Sequence, residues 1–120
     1  MSTERFNVVV AGSRTATDYE LLRKYCDVFF SRKTPTAIIS GCARGADELG
    51  ERYAQEHHLD LKRFPAQWDK YGKMAGMMRN REMLEVADAL VAMWDGKSRG
   101  TENMIRISKE KKIPIRVIRF

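Results

Sequence analysis

The chain has 120 residues, 43% hydrophobic and 32% charged, with a formal net charge of +6. That length builds one domain around one hydrophobic core, and that composition belongs to a folded protein, which excludes a disordered chain. No apolar run approaches the ~20 residues of a membrane span and no secretory pattern opens the chain, so a soluble, cytoplasmic protein without membrane contact is expected. Cys26 and Cys42 stand at no metal or redox spacing, in keeping with a reducing compartment. The positive charge favours anionic partners, nucleotides and nucleic acid alike.

Asn7-Val8-Val9-Val10-Ala11 is a short β-branched run, the pattern of a strand buried on both faces. Gly12-Ser13-Arg14 breaks it. Thr17 or Asp18 can cap the helix that follows, whose apolar positions Leu21, Leu22, Tyr25, Val28 and Phe29 recur at helical spacing. Lys33-Thr34-Pro35 punctuates before a second strand over 36–40. A second helix is predicted over 45–57, with Ala46, Leu49, Tyr53 and Ala54 on one face. Leu59 to Phe64 alternates only briefly and reads as a third strand, ended by Pro65. A loop over 66–75 carries Trp68, Tyr71, Gly72 and Lys73 and has room for the start of a helix. The helix after it, over 76–87, offers Met77, Met83, Leu84 and Ala87 to the core. Ala89 to Trp94 is a fourth, strongly apolar strand. Asp95 to Thr101 is glycine-rich, a helix follows over 101–112, and Ile113 to Ile118 closes the chain as a strand. Strands alternating with helices in this way predict an α/β sandwich with a parallel sheet and right-handed crossovers.

In an open parallel sheet, ligands bind beyond the carboxyl ends of the strands. Three loops lie there: Gly12-Ser13-Arg14, the stretch Gly41-Cys42-Ala43-Arg44-Gly45-Ala46-Asp47, and Gly96 to Thr101 with Ser98, Arg99 and Gly100. Each leads from a strand into a helix, where backbone N–H groups and the positive end of the helix dipole can receive an anion. Turn geometry alone accounts for any one of them. Three on one edge, with arginine, serine and threonine donors, point to a phosphate-bearing ligand. None has the Gly-x4-Gly-Lys-Ser/Thr pattern of a P-loop, and the central loop lacks the spacing of the dinucleotide fingerprint. Neither a nucleoside triphosphatase nor a nicotinamide dehydrogenase is therefore expected. Nothing in the chain calls for a cofactor, and His57-His58 has no further ligand at metal spacing, so no metal is expected.

These motifs, in order, resemble a known family. Val10-Ala11-Gly12-Ser13-Arg14 and Ile39-Ser40-Gly41-Cys42-Ala43-Arg44-Gly45-Ala46-Asp47 are joined by Phe64-Pro65-Ala66-Gln67-Trp68, Lys70-Tyr71-Gly72-Lys73 and Arg79-Asn80-Arg81-Glu82-Met83. Ala87-Asp88-Ala89-Leu90-Val91 and Trp94-Asp95-Gly96-Lys97-Ser98-Arg99-Gly100-Thr101 complete the set. The chain resembles the YspA/YpsA-related branch of the SLOG superfamily over nearly its whole length. The resemblance implies a single Rossmann-like domain over residues 1–120, a three-layer sandwich with a five-stranded, mainly parallel sheet, and a pocket for nucleotides or their derivatives. Lonely Guy phosphoribohydrolases, more distant relatives, pair a helical arginine with a glutamate three residues after a Gly-Thr. By resemblance the arginine is Arg79. The glutamate position holds Met104, and the nearest acid, Glu102, is rotated about 200° from it on a helix. Gly41-Cys42 stands where the branch commonly has two glycines, and Gln67 where it has an acid.

Arg79 is thus either a phosphate ligand or half of an ion pair with Glu82 or Asp88, and the resemblance favours the former, with Asn80 beside it. Asp47 either accepts from a ribose hydroxyl or answers the helix dipole. Ser13 and Thr101 either donate to phosphate or cap helices. Trp68 either stacks on a base or anchors its loop or a dimer interface. The function expected is binding, including sensing, of a nucleotide-like small molecule by Gly12, Ser13, Arg14, Gly41, Cys42, Ala43, Arg44, Gly45, Asp47, Trp68, Arg79, Asn80, Gly96, Ser98, Arg99, Gly100 and Thr101. One alternative is hydrolysis of a nucleotide's N-glycosidic bond by Arg79 with Glu102 or Asp47. Another is single-stranded nucleic-acid binding, which resemblance to the SLOG protein DprA permits, although no dense basic-aromatic stripe is present. The methionines and aromatics over 68–84 suggest a homodimer.

Overall fold

The valine run forms the centre of the sheet. In the computed structural model, which describes residues 5–120, β1 (Asn7–Gly12) lies between β2 (Ala37–Ser40) and β4 (Ala89–Trp94), with β3 (Asp60–Arg63) and β5 (Ile115–Arg119) at the edges. Every pairing is parallel and the order is β3-β2-β1-β4-β5. The sheet is thus wholly rather than mainly parallel. The chain winds outward from β1 to β3, then returns past β1 to build β4 and β5. The connections after β1 and β4 consequently diverge, and a crevice opens between them at the carboxyl edge.

Helices α1 (Tyr19–Phe29) and α2 (Ala46–Glu56) cover one face. Val8, Val10, Ile38, Val91 and Met93 pack there against Leu22, Cys26, Tyr53 and Ala54. The opposite face carries Val9, Ile39, Leu90 and Ala92 beneath Met83 of α4 (Ala75–Glu85) and Met104 and Ile105 of α5 (Arg99–Lys111). The strands read as unbroken apolar runs because both faces of the sheet are covered. Edge strand β3 is exposed along most of its length, which explains its thin signal.

Three expectations change. The stretch over 66–75, expected as a loop with room for the start of a helix, holds a separate short helix, α3 (Trp68–Tyr71), and a 3-10 turn (Gly72–Met74) that leads directly into α4. On α1 the sheet is met by Tyr19, Leu22 and Cys26, so Tyr25 and Val28, which lie off that stripe, remain exposed. The last strand starts at Ile115 rather than Ile113. Pro114 precedes it and supplies only its carbonyl, which accepts from the Leu90 amide at 3.0 Å.

Candidate functional site

The three strand-to-helix loops are tied to one another before they present anything to a ligand. The Ser13 amide donates to Met93 O at 2.8 Å, and Ser13 Oγ accepts from the Asp95 amide at 3.1 Å, which joins the first loop to the third. The Ala46 amide donates to Ser13 O at 3.3 Å, which joins the second loop to the first. Gly45 sits at that contact with φ +79°, and a Cβ there would overlap Ser13 O and the Arg14 carbonyl. Only glycine combines that backbone with that approach. Gly45 holds the loops together and does not line a cleft. The third loop is shaped by Asp95, whose Oδ1 accepts from the Lys97 and Ser98 amides, both at 2.8 Å. Those donors hold its carboxyl below the usual carboxylate range. Ser98 then caps α5 by accepting from the Thr101 amide.

The central loop differs from the simple anion cradle that its glycines suggest. The Cys42 amide donates to Ser40 Oγ, Ala43 to Asp47 Oδ2, and Gly45 to Glu48 Oε1, at 3.1, 3.1 and 3.0 Å. Among the described residues the amides of Arg14, Thr15 and Arg44, which border the clefts, have no hydrogen-bond partner. The side chains of Arg14, Arg44 and Lys73 make no ion pair with any described residue. On the helical surfaces Arg23, Arg52 and Arg106 are paired with Glu20, Glu56 and Glu110, whereas Arg81 and Arg99 make no ion pair with a described residue.

A cleft of about 470 Å³ opens at this edge, and of the expected residues Gly12, Ser13, Arg14, Ala43, Asp47, Trp68, Arg79, Asn80, Ser98, Gly100 and Thr101 line it. An adjoining cleft of about 320 Å³ shares Arg14, Ala43, Trp68 and Arg79 and adds Gly41, Cys42 and Arg44. Arg79 projects from α4, donating from Nη1 to Gly41 O at 2.6 Å and from Nε to Asn80 Oδ1 at 3.2 Å. Asn80 is itself buried and donates to Gly100 O and Asn103 Oδ1, so α4, α5 and the central loop fix the guanidinium jointly. Asp88 pairs with Arg5 and accepts from the Asn7 amide instead of pairing with Arg79. Asp47 is 5% exposed. Burial pushes its carboxyl up to about 6, against the opposing pull of the Ala43 amide and the Arg79 charge.

Besides Gly45, three expected residues stay outside both clefts. Gly96 packs against the Arg119 guanidinium, Arg99 opens α5 on the solvent side, and Glu102 is exposed. Met104 does line the larger cleft, at 1% exposure, so the two-residue offset on α5 turns the carboxylate away from it. Lys73, Gly76 and Met77 line the cleft without having been singled out as ligands. Met77 was read as core, but the helix carries it to the rim, 39% exposed beside the 53%-exposed Trp68. Its i+3 spacing to Asn80 was the available signal.

A parallel 3-2-1-4-5 sheet with its crevice at the switch point defines a Rossmann-like protein. The family model described as "YspA, cpYpsA-related SLOG family" matches residues 6–71, and the chain belongs to that family. It is 30% identical over 115 residues to the Gene 61 protein of Mycobacterium phage D29, covering 90% of this chain and 92% of that protein. Its fold is similar to that of DNA processing protein A (DprA) from Streptococcus pneumoniae, with a TM-score of 0.73 and 15% identity over 94% of this chain and 50% of that one. DprA from Helicobacter pylori gives a TM-score of 0.65 and 18% identity over 93% of this chain. The chain spans 50% and 64% of those two proteins. No helix among the described residues is long and apolar enough to cross a membrane.

Proposed function

We propose that the protein binds a nucleotide or nucleotide derivative in the paired clefts, as a receptor for that molecule rather than its catalyst. The observation that carries this is the set of unused donors at one sheet edge: the amides of Arg14, Thr15 and Arg44, and the unpaired side chains of Arg14, Arg44 and Lys73. Phosphate is the ligand group that such donors recognise. Ser13 and Thr101 add hydroxyls to the same cleft, and Trp68 with Met77 gives the base an apolar wall. A volume near 470 Å³ suits a molecule of nucleotide size. Binding is favoured over N-glycosidic hydrolysis because the cleft holds the Met104 thioether where the hydrolases that the chain resembles carry a glutamate, while Glu102 faces solvent.

The expected result is a rise in melting temperature with at least one member of a panel of nucleoside mono- and diphosphates and ADP-ribose. At a hundredfold excess over the dissociation constant a ligand adds about 2.7 kcal/mol. Arg14→Ala and Arg44→Ala should lose most of that rise. A panel without effect would overturn the reading, and so would two variants that respond like the parent. One observation favours hydrolysis as a second reading: the raised carboxyl of Asp47 lies in the cleft near Arg79, as a general acid would. Release of free base from a nucleoside monophosphate, lost in both Asp47→Asn and Arg79→Ala, would establish it.

A further inference from the structure

We propose that the Asp47 carboxylate selects ribose over deoxyribose, so that the ligand is a ribonucleotide or another ribose-bearing phosphate and not DNA. The inference rests on the nucleotide reading above and assigns the sugar within it. Asp47 is 5% exposed and lines the larger cleft. Its Oδ2 accepts a hydrogen bond from the Ala43 amide and the Gly41 amide also supports the carboxylate, which leaves acceptor capacity on its two oxygens unfilled. An ionised carboxylate only accepts, and a buried one is costly until its lone pairs meet donors. The nearest guanidinium does not meet that need, since Arg79 commits Nη1 to Gly41 O and forms no ion pair with Asp47. The remaining acceptor capacity is open toward the cleft.

The chemistry of a nucleotide leaves one good match for it. A phosphate brings no donor at neutral pH and is repelled by a carboxylate, so it belongs with Arg14, Thr15 and Arg44 at the rim. The base has its own wall at Trp68 and Met77. The sugar lies between these two in any nucleotide, and its hydroxyls are donors. Position 41 shows how closely the loop backbone approaches the carboxylate. A Cβ on Gly41 would stand 2.8 Å from Arg79 Nη1 and 2.9 Å from Asp47 Oδ2. Glycine at 41 therefore lets both the guanidinium and the carboxylate pack directly against the loop backbone, where a side chain would push them apart. A sugar lacking the hydroxyl leaves the buried acceptor unpaired, and sites built to hydrogen-bond a hydroxyl discriminate strongly against analogues without it.

Calorimetric titration of the intact protein with the four ribonucleoside 5′-monophosphates and their 2′-deoxy and 3′-deoxy counterparts tests this. For the base that binds best, loss of the 2′-hydroxyl should weaken affinity roughly tenfold or more, with the 3′-deoxy form as the control for the other hydroxyl. In Asp47→Ala the ribose and deoxyribose forms should bind alike, and melting curves will show whether that variant is folded. Asp47→Asn keeps an acceptor for Ala43 and gives the same readout, a reduced ratio, if the alanine variant is not. Ribose and 2′-deoxyribose forms binding the parent within about threefold of one another would overturn the selection and leave nucleotide binding standing. A ratio undiminished in both variants would remove Asp47 from the role. No binding of any monophosphate would overturn this inference, and the reading beneath it falls with it if the diphosphates and ADP-ribose also leave the melting temperature unchanged.

Discussion

Asp47 is where residue-scale physics and function pull in opposite directions. Its carboxyl titrates near 6 in the folded chain against 3.8 ordinarily, because burial disfavours the charge more than the Ala43 amide and Arg79 support it. Between about pH 4 and 6 the native state therefore holds a proton that the unfolded chain has released. The stability associated with that proton is fully present below about pH 4 and is lost as pH rises through 6. Asp47→Asn should accordingly stabilise the protein at pH 7.5, by up to about 3 kcal/mol for two units of displacement, and by much less at pH 4.5. Urea unfolding at both pH values reads this directly, and an equal gain at both would show that the carboxylate is not under strain. The chemistry of this position was visible in the sequence only as two open readings, ribose acceptor or first-turn acid. Nothing in the residue order says that the side chain is 5% exposed, because that depends on how α4 closes over the loop. Cys42 was legible as a departure from two glycines, and the structure gives its meaning. It occupies φ +63°, the left-handed region where a glycine would sit without strain.

At the scale of elements, the parts that bury both faces could be read from sequence, and the parts shaped by local hydrogen bonds could not. β1 and β4 announce themselves as apolar runs, and the stripe Ala46, Tyr53 and Ala54 of α2 is buried as its spacing requires. Four-residue α3 contains too little chain for a helical period, and Gly72 and Pro65 at its borders read as loop. The start of α5 is a different case, since its hydrogen-bonding residues stand plainly in the sequence but their partners do not. Ser98 accepts from the Thr101 amide, shares a 3.0 Å contact between their hydroxyls, and follows an Asp95 turn that fixes its own amide. Ser98→Ala should cost about 1 kcal/mol as a lost N-cap and loosen Thr101 at the cleft. Thermal unfolding should show the cost, and ligand titration should show weaker binding beyond it. A cap with no role at the site would lower stability and leave affinity unchanged.

For the whole molecule, the question left by the fold is whether its positive charge serves one small anion or a polyanion. The fold is similar to that of DprA, and the Helicobacter pylori protein is described through its single-stranded DNA binding. Net charge alone does not decide between the two, because +6 is what remains after many of the 22 lysines and arginines meet the 16 acids. Distribution is more telling. Arg23, Arg52, Arg63 and Arg106 are neutralised by carboxylates on their own or adjacent elements. Three cations without an ion pair to any described residue, Arg14, Arg44 and Lys73, stand around the clefts, and the Asp47 carboxylate sits in the cleft that Arg14 and Lys73 line. A track for a nucleic-acid backbone would place no acid there. The two cases differ sharply in their response to salt. Each phosphate of a single strand neutralised by the protein contributes about −0.7 to the slope of log affinity against log salt, so engagement of three or four phosphates gives roughly −2 to −3. Affinity for the best nucleoside monophosphate should instead follow a slope no steeper than about −1, and an oligodeoxynucleotide should bind more weakly than that monophosphate at 150 mM salt. Tighter binding of the oligonucleotide with a slope near −3 would assign the edge to a DNA strand. In that case the unpaired arginines would be reading a backbone, and Asp47 would have to be explained as a cost carried by the fold.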